Sequence, residues 1–127
     1  CLVNLLGTKY DKAKEFNSKY SDDGIIWFLE SCDRNVFSIR RAMWQMDNAG
    51  WFENVKAFVI GRPLVYGQEM MGLDQYSAII KTAGRYNVPV IMDADLGHLP
   101  PAMPVISGAY AEVSVKDDNI HFSYELK

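Results

Sequence analysis

Two stretches of this chain read as buried strands that end on residues able to hold or move a proton. Gly24-Ile25-Ile26-Trp27-Phe28-Leu29-Glu30 ends on a carboxylate. Val88-Pro89-Val90-Ile91-Met92-Asp93-Ala94-Asp95 runs into Leu96-Gly97-His98-Leu99-Pro100-Pro101. An acid and a histidine at strand ends are two of the three members of a hydrolytic triad. His98 falls just past a strand's carboxyl end, where open α/β sheets bind ligands. Gly97 lets the backbone turn sharply and Pro100-Pro101 stiffen the exit. A histidine held in one direction suits general base work; a surface-loop histidine is the competing reading. Glu30 is either a strand-end carboxylate bonded to the next helix or the group that orients the imidazole.

The third member is missing. No serine stands in a G-x-S-x-G elbow, and Ser31 and Ser107 have no such setting. There is no phosphate loop and no dinucleotide fingerprint. The chain reads as half of an enzyme. Arg62, after Gly61 at another strand end, can grip a substrate carboxylate bidentately or serve as a surface ion-pair partner. Asp93 and Asp95 can bind a metal or stabilise the turn, and the turn is the simpler use. No cofactor is expected. His121, in the last strand, reads as structural or exposed.

These residues need a folded frame, and the composition supplies one. Of 127 residues, 49% are apolar and 13% aromatic, enough for the core of one domain. A net charge of -3, with 13 basic and 16 acidic residues interspersed, gives no footprint for nucleic acid and no polybasic membrane patch. No apolar run approaches a membrane span, and the first residues do not read as a signal peptide. Cys1 and Cys32 lack CxxC spacing and zinc-ligand company, so they read as reduced thiols of a cytosolic protein. Cys32 as a nucleophile is the sharper alternative.

The order of elements follows from periodicity. Cys1-Leu2-Val3-Asn4-Leu5-Leu6-Gly7 resembles the last turns of a helix closed by a glycine, which implies that the chain is cut from a longer one. Residues 9–23 are polar and read as a linker. Residues 25–29 and 55–60 are continuous apolar runs, as in strands covered on both faces. Between them Asp33 or Asn35 can cap a helix running to about Ala49, with Val36, Ile39, Met43 and Met46 on one face. Leu64–Gly72 is a loop, residues 73–86 a second helix, and residues 88–93 a third strand. Residues 105–116 and 120–126 form a hairpin around Asp117-Asp118-Asn119. Strand, helix, strand, helix, strand is the order of right-handed parallel crossovers. The closing hairpin is expected to join the sheet and make it mixed.

Taken in order, Leu6-Gly7-Thr8, Ile26-Trp27-Phe28-Leu29-Glu30, Ile39-Arg40-Arg41-Ala42-Met43-Trp44-Gln45-Met46, Phe58-Val59-Ile60-Gly61-Arg62 and Asp95-Leu96-Gly97-His98 resemble the C-terminal domain of the LD-carboxypeptidase family of serine peptidases. That family includes the microcin C immunity proteins. The resemblance runs from about Leu5 to Ser114. It implies a small swivelling-type β/β/α domain (α/β class), with a mixed, largely parallel sheet flanked by helices and a C-terminal hairpin. Residues 1–23 would be a helix remnant and linker from a missing N-terminal domain, and residues 24–127 the catalytic-partner domain. The missing domain would carry the serine, Glu30 and His98 would complete a Ser-Glu-His triad, and the intact protein would be a cytoplasmic homodimer. The implied reaction is cleavage of an amide bond next to a free carboxylate, in a muropeptide tetrapeptide during cell-wall recycling. The immunity branch instead implies a peptidyl or aminoacyl nucleotide substrate. Ser31 and Cys32 stand where acidic residues often follow the family's glutamate, and Asp95-Leu96-Gly97-His98 is nearer the immunity branch. A non-catalytic ligand-binding or interaction module remains the reading from a different class.

Overall fold

The computed structural model describes residues 2–125. Three parallel strands form the central sheet in the order β1 (Ile25–Leu29), β2 (Val55–Gly61), then, on the far side of β2, a strand at Val90–Ala94. Between β2 and that strand in chain order comes a separate two-residue ladder, β3 (Glu69–Met70) with β4 (Leu73–Asp74), so Val90–Ala94 is β5. Helix α1 (Ala13–Lys19) precedes the sheet, α2 (Val36–Asn48) joins β1 to β2, and α3 (Gln75–Ala83) leads into β5.

Side chains alternate across a strand, so each strand feeds two cores. Trp27 and Leu29, Phe58 and Ile60, and Val90 and Met92 face the cluster built on α2 and α3. Ile26 and Phe28, Val59, and Ile91 face the cluster covered by Val113, Ile120 and Phe122 of the hairpin. The helix-side core includes Val36, Ile39, Met43 and Met46, the face given by the three- and four-residue spacing. Trp51 stacks on Trp27 with ring centroids 5.7 Å apart, while Trp44 stays 56% exposed. The Asn35 side chain caps α2 by accepting from the Ser38 N–H at 2.9 Å. Gly50, at φ +76°, turns the chain away from its end.

Three local features differ from the pattern reading. The hairpin, β6 (Tyr110–Lys116) and β7 (Asn119–Glu125), forms its own antiparallel sheet, and the central sheet is parallel throughout. Its apolar residues recur at every second position, so it covers one face of the sheet with a single side of its own. Asp117 and Asp118, at φ +48° and +61°, make the two-residue turn, and residues 105–109 precede the hairpin strands. The polar stretch 9–23 carries α1, whose Asn17 is 1% exposed and donates from Nδ2 to the Trp51 carbonyl at 2.7 Å. The predicted second helix stops at Ala83 and continues as a 3-10 turn to Tyr86. Cys1 and Leu126 lie outside the described residues. Among those described, no helix is long and apolar enough to cross a membrane.

Candidate active site

The site forms where the three parallel strands end. Phe58 pairs with Val90 and Val59 with Ile91, but Gly61 pairs with Ala94. Over that step β5 holds one more residue than β2, a bulge. Asp93 sits there at φ +57°, a conformation that aspartate tolerates better than most residues. The extra residue turns Ala94 and Leu96 to the hairpin side. The chain then crosses the end of β2. A Cβ at Gly61 would stand 2.4 Å from the Leu96 carbonyl oxygen, so only glycine admits this crossing.

The crossing carries His98 to Glu30, from strands that are not neighbours. His98 Nδ1 lies 3.0 Å from Glu30 Oε2, and the Cys32 N–H donates to Glu30 Oε1 at 2.7 Å. Both carboxylate oxygens are therefore engaged, one by the chain itself. An ionised carboxylate only accepts, so in the neutral imidazole this bond requires the proton on Nδ1 and leaves the Nε2 lone pair free. The two side chains differ in exposure: 13% for Glu30 and 60% for His98. The acid is held inside and the base presented outward. Gly97, at φ +107°, is packed against the acid, and a Cβ there would fall 2.2 Å from Glu30 Cγ.

The other residues marked by position take different places. Arg62 Nη2 bonds Asp95 Oδ1 at 2.7 Å and donates to the Pro101 carbonyl at 3.1 Å. The Asp95 carbonyl accepts from the Met103 N–H at 2.7 Å. Arg62 and Asp95 thus tie the histidine loop to the end of β2. Asp93 accepts from the Tyr76 hydroxyl at 2.7 Å, and the Tyr66 hydroxyl lies 2.9 Å from that of Tyr76. Because Tyr76 spends its proton on Asp93, Tyr66 must be the donor in the second bond. No group of three or more His, Cys, Asp or Glu side chains placed to hold a metal occurs among the described residues. Cys32 is a free, half-buried thiol, and His121 and Ser107 are exposed.

Beside the dyad opens a cleft of about 360 Å³. Phe28, Leu29, Met92 and Leu96 make it largely apolar, and Glu30, Ser31, Arg34 and Asp93 bring polar groups to it. Position in the sequence marked neither Arg34 nor the Cys32 N–H. Arg34 follows the marked carboxylate by four residues, and that closeness is the one signal available. The Cys32 N–H depends on φ +51° at a non-glycine residue, which no sequence pattern announces.

No curated protein sequence matches the chain. Among solved structures, the fold resembles the muramoyltetrapeptide carboxypeptidase from Oxalobacter formigenes. The TM-score is 0.68 at 22% identity, over 80% of this chain and 35% of that one. The chain therefore spans about a third of that protein's length. The family model of the LD-carboxypeptidase C-terminal domain matches residues 1–113. That match takes in the strand that precedes Glu30, the Gly61-Arg62 crossing and the His98 loop, and the chain belongs to the LD-carboxypeptidase C-terminal domain family.

Proposed function

We propose that this chain supplies the base and the orienting acid of a Ser-Glu-His triad, and that the serine comes from an N-terminal domain outside these residues. The observation that carries the reading is the 3.0 Å bond from Glu30 to His98 Nδ1, which leaves Nε2 exposed and aimed away from the acid. Nε2 would take the serine proton as the hydroxyl attacks the amide carbonyl, then pass it to the leaving amine. Water, deprotonated by the same nitrogen, would release the acyl group. Glu30 would stay ionised and stabilise the imidazolium formed in each step.

Family membership supports, as the substrate class of this proposal, an amide bond beside a free carboxylate, at the end of an L,D-linked muropeptide tetrapeptide in a bacterial cytoplasm. The intact enzyme, a homodimer, would act as a serine carboxypeptidase in cell-wall recycling. Leu64, Val65, Tyr66 and Met71 expose apolar surface on the loop after Arg62. The Leu64 N–H donates to the Cys32 carbonyl at 3.0 Å, which holds that loop beside the dyad. Such surface suits the docking of a second domain.

Glu30→Gln and His98→Ala in the intact protein should each lower turnover of an L,D-tetrapeptide by on the order of 10⁴. An aminoacyl adenylate analogue assayed beside it reads the nucleotide branch. The 127-residue chain alone should hydrolyse neither. Wild-type turnover by His98→Ala, or robust hydrolysis by the isolated chain, would overturn the proposal.

A further inference from the structure

Arg62 was the arginine marked by its place at a strand end, yet its guanidinium is already neutralised by Asp95 and bonded to the Pro101 carbonyl. Three other arginines are also engaged: Arg40 donates to Thr82, Arg41 to Ser38, and Arg85 to Asp47. Arg34 differs from all of them. It is half-buried, it lines the cleft beside the dyad, and its side chain makes no hydrogen bond or ion pair with any described residue. Its backbone is fixed, because the Arg34 N–H donates to the Ser31 carbonyl at 3.0 Å. The next residue, Asn35, caps α2. The cation therefore projects from a short, anchored turn between Glu30 and a helix end.

A cation drawn partly out of water beside apolar walls favours a counter-ion more strongly than one in bulk solvent. The neighbouring Glu30 carboxylate makes no ion pair with it, and its two oxygens are turned to the Cys32 N–H and to His98. A molecule bound in the cleft can supply the anion. A guanidinium presents a planar pair of donors that matches a carboxylate.

We propose that Arg34 binds the free carboxylate of the substrate and so makes the cleft selective for a chain end. This rests on the hydrolase reading above for the identity of the ligand, though not for the existence of an anion site. Arg34 is a binding residue, and Arg62 holds the histidine loop.

Two measurements test this. The 127-residue chain, labelled with nitrogen-15, is titrated with N-acetyl-D-alanine while the arginine Nε–H signals are followed. The Arg34 signal should move saturably, the Arg62 signal should stay, and Arg34→Gln should abolish the response. In the intact enzyme, Arg34→Gln should raise KM by about 10- to 100-fold with kcat nearly kept, as for loss of a charge-assisted bond. Arg34→Lys should fall between the two. Against a tetrapeptide ending in a carboxamide, Arg34→Gln and wild type should have equal kcat/KM. An unchanged KM for Arg34→Gln, or a response at Arg62 in place of Arg34, overturns the assignment. If the intact protein hydrolyses nothing, the hydrolase reading falls and the titration alone decides: a saturable shift at Arg34 keeps the carboxylate site, and an unmoved signal removes it.

Discussion

Replacing Gly97 with alanine should disconnect Glu30 from His98 without altering either side chain. The new Cβ would fall 2.2 Å from Glu30 Cγ and 2.7 Å from Cδ. Carbon atoms in contact sit about 3.5 Å apart or more, so the glutamate must retreat by roughly 1.3 Å. Its bonds to His98 Nδ1 and the Cys32 N–H are 3.0 and 2.7 Å long. Neither bond tolerates such a retreat. An L-residue at a positive φ costs about 1–2 kcal/mol. Loss of a hydrogen bond to a charged group adds about 1.5–3 kcal/mol. Together these give roughly 2.5–5 kcal/mol. A domain of this size loses about 3–5 °C of melting temperature per kcal/mol. Thermal denaturation of the chain should therefore show a drop of roughly 8 °C or more. The hydrogen-bonded Nδ1 proton of His98 should vanish from the proton NMR spectrum. In the intact protein, turnover should fall towards that of Glu30→Gln. A Gly97→Ala chain that melts within about 2 °C of wild type and keeps the Nδ1 resonance would refute the steric argument. The glutamate would then yield to a methyl group, and glycine would not be needed there.

Two further predictions concern the frame. Asn17→Ala removes the donor to the buried Trp51 carbonyl and should cost about 1–3 kcal/mol. Urea denaturation measures it, and a loss below about 0.5 kcal/mol would mean that α1 does not depend on this bond. The Tyr86 pKa is pushed up to about 12, first by burial and then by its bond to Asp47. An unfolded tyrosine ionises near about 10, so the folded state holds this proton more tightly. Its contribution is whole below about pH 10 and is lost as pH rises towards about 12. Asp47→Asn should bring the phenolate absorbance of Tyr86 in at lower pH, and an unchanged titration would contradict the assigned partner.

Much of the frame was legible because single residues carry it. Asn35 stands where a cap is needed, and the apolar runs of β1 and β2 match strands covered on both faces. Paired aspartates mark the hairpin turn. The pairing of Glu30 with His98 could be suspected from two strand ends, but the geometry depends on a bulge at Asp93 and a crossing over Gly61. Neither is local, so no pattern of residue types reports them. Helix α1 has no clear mark in the sequence because it is short, lacks a side-chain cap and buries a polar residue, Asn17. The hairpin was expected in the sheet because its alternation fits a half-covered strand equally well in either place. Arg62 stands at a strand end and Arg34 does not, yet neither setting says which guanidinium has a partner. Only the position of Asp95, on a loop 33 residues away by numbering, distinguishes the occupied cation from the open one.

Glu30 and His98 stand 68 residues apart in the chain, yet their meeting is set at the ends of β1 and β5, across the width of β2. The stretch after Arg62 meets that frame at two points, the Leu64 N–H on the Cys32 carbonyl and the Tyr66 hydroxyl on that of Tyr76. Beyond those ties, around Val65 and Met71, such a loop can lengthen, shorten or change composition at small entropic cost while the two strand ends stay where they are. Divergent members of a lineage could thus exchange the surface around the dyad without re-solving its alignment. A chain built this way separates the part that must be inherited unchanged from the part that is open to variation.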